Sequence, residues 1–81
     1  MARTTLHTAE RHVLHVALLN NDLPHDGWAI TDDSPAYDEA LALATWTFER
    51  RTPEGTVVLN CISGADGWHY TVSTRAAGGA S

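Results

Sequence analysis

The chain has no lysine and no glutamine, only one cysteine and one phenylalanine, and no long apolar run. A single cysteine, Cys61, excludes an internal disulfide framework, so stability must come from packing, and a reducing, cytoplasmic setting is expected. The longest apolar stretch near the start, Val13 to Leu19, is broken by His15 and preceded by Glu10 and Arg11. Neither a signal peptide nor a span of roughly 18 apolar residues is present, so no membrane association is expected. Without lysine, five arginines stand against ten acids and the net charge is −5. That balance argues against general nucleic-acid binding, which needs a basic face. Absent too are Gly-Xaa-Ser-Xaa-Gly, His-Glu-Xaa-Xaa-His and any phosphate-cradling glycine loop.

What is present is enough for one small domain. The 81 residues leave no room for two domains or for a repeat of the usual period. A chain of this size buries only about 60% of the surface exposed when unfolded, so its stability margin is thin. Ala supplies twelve of the apolar residues, which leaves much of the core to six aromatics: Trp28, Tyr37, Trp46, Phe48, Trp68 and Tyr70. Residues 1–75 are expected to form the domain. Residues 76–81 (Ala-Ala-Gly-Gly-Ala-Ser) have little to bury and are expected to be a disordered tail.

From Thr5 to about Asn20 the chain reads as a helix, with Leu6, Ala9, Val13, Val16 and Ala17 on one arc and His12 and His15 opposite. Asn20-Asn21-Asp22 and Pro24 end it. Gly27 to Thr31 reads as a short strand with Trp28 and Ile30 on one face. Asp32-Asp33-Ser34-Pro35 resembles a helix start, with Asp33 or Ser34 as cap and Asp38 and Glu39 at the positive dipole end. Tyr37, Ala40, Leu41, Ala44 and Phe48 then repeat at helical spacing and carry a second helix to Arg51. A competing reading ends this helix at Ala44 and makes 45–52 a strand, since Thr45, Trp46, Thr47 and Phe48 are good strand formers. The long helix is preferred because no Gly or Pro separates the two near Ala44. Thr56 to Ile62 and Trp68 to Thr74 form a hairpin whose register is constrained by its apolar sets, Val57, Leu59, Cys61 and Trp68, Tyr70, Val72. Cys61 is then expected to face inward near Tyr70, and His69 outward with Val58, Asn60 and Ile62.

The expected fold is a two-layer α+β domain of order α-β-α-β-β, with a three-stranded, mainly antiparallel sheet and both helices on one face. Its core would hold Val13, Ala17, Trp28, Ile30, Leu41, Phe48, Leu59, Cys61, Tyr70 and Val72. In this register Cys61 and His69 leave opposite faces of the sheet, so they form no nucleophile pair, and Cys61 reads as a small buried hydrophobe.

Three features carry candidate function. His12 and His15, three apart on one helix, are weak metal-ligand candidates, with His25 and Asp26 nearby in sequence, but no second pair completes a site. No cofactor is expected. Asp22, Asp26, Asp32, Asp33, Asp38 and Glu39 fall within eighteen residues that hold no arginine, an acidic patch suited to a basic partner. Trp46, on the polar side of the long helix beside Glu39 and Arg50, is a candidate interface anchor.

The leading expectation is a non-enzymatic, acidic interaction module that binds another protein as an inhibitor or accessory subunit. Its partner-facing residues would be Trp46, Glu39, Asp32, Asp33, Asp38 and Arg50. The alternatives are a regulatory nucleic-acid-binding domain using Arg3, Arg11, Arg50, Arg51 and Arg75, and a metal-binding domain using His12 and His15. A homodimer through Trp46 or through the outer hairpin face with Val58 and Ile62 is also open.

Overall fold

A computed structural model describes residues 3–32 and 34–76. Among the described residues one helix, α1 (Thr8–Asn21), is followed by five strands: β1 (Trp28–Ile30), β2 (Ala36–Asp38), β3 (Leu43–Thr52), β4 (Gly55–Gly64) and β5 (Gly67–Ala76). All pairings are antiparallel. The sheet runs β1-β3-β4-β5, and β2 lies beside β1 along the same edge of β3. The fold is therefore mostly β. The expected second helix over 35–51 and the three-stranded sheet are both overturned.

The overturned segment shows why. Helical spacing from Tyr37 to Phe48 coexists with a strict two-residue alternation, and the alternation wins because β4 supplies a complete partner. Phe48 pairs with Leu59 and Trp46 with Cys61, which puts all four on one face. A helix would have buried Tyr37 and Leu41 with Phe48. Both are instead exposed, at 74% and 65%. The turn joining β2 to β3 needs no glycine, because Ala42 itself takes the left-handed conformation at φ 53°. The Asp38 carboxylate accepts from the Leu41 N–H at 3.2 Å and braces that turn.

β1 and β2 leave a gap in the ladder opposite Thr47, and Ser34 fills it. Its hydroxyl accepts from the Thr47 N–H at 2.8 Å, while the Thr31 N–H donates to the Thr47 carbonyl at 3.0 Å. The run read as a helix start, Asp32 to Pro35, thus serves as the joint between two short edge strands. Asp33, the other candidate cap, lies outside the described residues.

The β4–β5 hairpin has the expected register. Cys61 pairs with Tyr70 and Ile62 with His69, across a two-residue turn, Ala65-Asp66, closed by the Gly64–Gly67 pair. β5 runs to Ala76, and the rest of the expected tail, residues 77–81, lies outside the described residues.

α1 lies on the face bearing Phe48 and Leu59. Leu14, Ala17 and Leu18 of the helix close the core with Trp28, Ile30, Phe48, Leu59 and Cys61. Val13 and Tyr70 pack at its margin, but Leu41 and Val72 are exposed, against expectation. The helix begins at Thr8 because Glu10 reaches back to accept from the His7 N–H at 2.8 Å. It ends at Asp22, whose left-handed backbone (φ 53°) returns its N–H to the Leu18 carbonyl. Among the described residues no second layer covers the opposite face, where Thr45, Thr47, Asn60, Thr71 and Ser73 stand.

Candidate interaction site

The sequence-derived site residues do not gather in one place. Trp46 stands in the middle of β3 on the helix-covered face, half-buried, with its ring 5.2 Å from that of Trp68. It is not on the polar side of a helix, so that basis for an exposed anchor is gone. Arg50, on the same face, donates through Nε to the Asp26 carbonyl at 2.9 Å and sits 3.9 Å from the Asp26 carboxylate. Asp32 follows β1, and its charge, together with that of Glu10, helps hold the Arg3 guanidinium above its ordinary pKa; the Glu10 hydrogen bond is the largest cause. Among the described candidates, Asp38 and Glu39 lie side by side and exposed, at the tip of the β2–β3 hairpin.

That tip is built by the short strand β2, every residue of which is exposed. Its backbone register (Ala36–Thr45, Tyr37–Ala44, Asp38–Leu43) holds the strand against β3. Tyr37 and Leu41 present large apolar surface at the same hairpin end as Asp38 and Glu39. Beside them an open groove of about 430 Å³ runs from Tyr37, Asp38 and Glu39 to Ser63, Gly64 and Ala65. Leu43 packs so closely over Gly64 that a Cβ there would meet its Cδ2. Reading the sequence missed Tyr37 and Leu41 because the assumed helix buried them. The competing reading of 45–52 as a strand, which β3 bears out, still left Tyr37 and Leu41 on a helix ending at Ala44.

The arginines do not form one cluster. Arg3 makes a two-pronged pair with Glu10, at 3.0 and 2.8 Å, and Arg75 lies 3.3 Å from Glu49. Arg11 is on the helix, and Arg51 is on the open face of the sheet beyond Glu49.

His12 and His15 are exposed on α1 and border an open groove of about 540 Å³ with Arg11 and His25. The His15 and His25 rings approach to 5.5 Å. Asp26 turns toward Arg50. Among the described residues no group of three or more His, Cys, Asp or Glu side chains is arranged to hold a metal ion. Cys61 is fully buried, and burial pushes its thiol up to about 12, which leaves it protonated and unreactive at neutral pH. No helix among the described residues is long and apolar enough to cross a membrane.

Compared with known proteins, the chain matches no family model, no curated protein and no solved structure.

Proposed function

We propose that the chain is a non-enzymatic interaction module that docks a basic protein surface through the tip of its β2–β3 hairpin. The observation that carries this reading is the coexistence, at one hairpin tip, of exposed Tyr37 and Leu41 with exposed Asp38 and Glu39. Aromatic and aliphatic anchors supply desolvation energy at an interface, and flanking charges supply steering and register. The chain's charge of −5 favours a cationic partner over long range. Of the four acids expected from the sequence to face a partner, Asp38 and Glu39 remain in this reading, Asp32 lies after β1 away from the tip, and Asp33 is outside the described residues. Trp46 and Arg50 leave it, because one is packed on the core and the other is held by Asp26.

The test is affinity capture with wild type, with Tyr37→Ser/Leu41→Ser, with Asp38→Asn/Glu39→Gln, and with Arg11→Ala on the helix as a control. A partner kept by wild type and the control, lost by the Tyr37/Leu41 variant, and bound less tightly by the amide variant and at higher salt supports the reading. Capture that both tip variants retain at wild-type strength, or that is insensitive to salt, contradicts it.

A further inference from the structure

At the other side of the sheet, β5 forms a ten-residue edge strand with no strand beyond it among the described residues. Native edge strands are normally blunted by charged side chains, proline, an inward charge or brevity. β5 has only Arg75, near its end, where the guanidinium lies 3.3 Å from Glu49 of the same chain. Its sequence, Gly-Trp-His-Tyr-Thr-Val-Ser-Thr-Arg-Ala, is rich in strand-forming residues and carries no acid, although the chain as a whole is at −5. On the helix-side face Trp68 and Val72 remain 43% and 42% exposed on either side of Tyr70, because α1 does not cover this edge fully.

The direction of the free backbone groups follows from the turn. In a two-residue hairpin the residues flanking the turn form a hydrogen-bonded pair, here Gly64 and Gly67. Alternation then turns the N–H and C=O groups of residues 67, 69, 71, 73 and 75 toward β4. It leaves those of Trp68, Tyr70, Val72 and Thr74 pointing out of the sheet.

We infer that this edge pairs with the same edge of a second copy, making a two-fold dimer with one continuous antiparallel sheet centred on Thr71. A two-fold axis through Thr71 keeps the helix-side faces together and sets Tyr70 against Val72 of the second copy, twice. Aromatic and β-branched residues favour such cross-strand positions. Trp68 stands opposite Thr74 and His69 opposite Ser73. Arg75, whose guanidinium lies 3.3 Å from Glu49 of its own chain, falls opposite Gly67 of the second copy, so no like charges are opposed at either end. Other registers that preserve the faces are poorer. Centring on Val72 sets Arg75 against His69, and centring on Tyr70 runs Arg75 past the turn. The pairing is isologous and consumes the edge it uses. The far side of the sheet offers no second such edge, since the β1 backbone already pairs with Arg3 and β2 is three residues long. Assembly therefore stops at two.

This inference does not depend on the hairpin tip, and Tyr37→Ser/Leu41→Ser is expected to leave the dimer intact. Light scattering on the full chain is expected to give twice the 8.8 kDa chain mass. Val72→Lys, with an unchanged circular dichroism spectrum, is expected to halve it. Mild oxidation of Thr71→Cys is expected to give a covalent dimer, because the two introduced thiols face each other on the axis; Ser73→Cys, which faces His69, is expected to cross-link far less. The buried Cys61 does not compete. If Val72→Lys fails to fold, the two cysteine variants decide. A single-chain mass at millimolar concentration, a dimer that folded Val72→Lys leaves whole, or equal cross-linking at 71 and 73 overturns the inference.

Discussion

The rings of Trp46 and Trp68 lie with centroids 5.2 Å apart, tilted by 40°, so that β3 and β5 touch across β4. Tyr70 continues the row, nearly parallel to Trp68 at 6.5 Å. Trp46 is thereby a packing residue of the sheet. Trp46→Ala is expected to lower stability by about 2 kcal/mol, below the roughly 3–5 kcal/mol of a fully buried aromatic. Urea unfolding of the single and double alanine variants of Trp46 and Trp68 is expected to show a coupling of about 1 kcal/mol. Additive effects would mean that the two rings do not interact in solution.

Glu10 connects the helix start to the edge of the sheet. Arg3 exchanges two backbone hydrogen bonds with Ile30, and its guanidinium grips the nearly buried Glu10 carboxylate, which also accepts from the His7 N–H. The Arg3 hydrogen bond is the main reason the Glu10 pKa is lowered. A lowered carboxyl pKa means that the unfolded chain takes up the proton first as pH falls. The stabilisation is therefore complete above the ordinary carboxylate range and is lost as pH drops through the lowered value. Glu10→Gln is expected to cost about 1.5–3 kcal/mol at neutral pH, the range for hydrogen bonds to charged groups. It is also expected to flatten the fall in melting temperature below about pH 4.3, the unperturbed carboxyl value.

Cys61 is held protonated by burial. With a pKa raised in the fold, its contribution is fully present below the ordinary thiol range of about 8.5 and is lost as pH rises toward the folded value. A disulfide reagent at pH 8 is expected to leave the native thiol untouched and to titrate one thiol per chain after unfolding in denaturant. Fast labelling of the native protein would contradict the packing described.

How far the sequence was legible depended on whether its turns carried a signature. Gly64 and Gly67 marked the β4–β5 turn, and two alternating apolar rows fixed its register, so the Cys61–Tyr70 and Ile62–His69 pairs agree with expectation. The first helix was legible to within a few residues at its start. The segment 35–52 was not. Its turn rests on the Asp38 side chain and on Ala42 in a left-handed conformation, neither of which composition reveals. Tyr37, Ala40, Leu41 and Ala44 also happen to fall at helical spacing. The partner strand β4 broke the tie through Leu59 and Cys61, a tertiary effect outside any local window. That one reversal moved Trp46 inward and Tyr37 and Leu41 outward, and with them the candidate site.

Ser34 offers a local check on the joint between β1 and β2. Its hydroxyl stands in for a missing strand residue at Thr47. Ser34→Ala leaves that N–H without its partner and is expected to cost about 1–2 kcal/mol. Amide exchange at Thr47 is expected to quicken, while exchange at Leu59 stays near the global rate. An unchanged Thr47 rate would show that the hydroxyl plays no part in the ladder.

Amide hydrogen exchange of the chain, alone and bound to a partner captured as above, tests the central functional claim most directly. The account expects new protection across residues 37–43 and none across the helix, 8–21. Protection confined to the helix and its histidine-lined groove, with the hairpin tip unchanged, would contradict it.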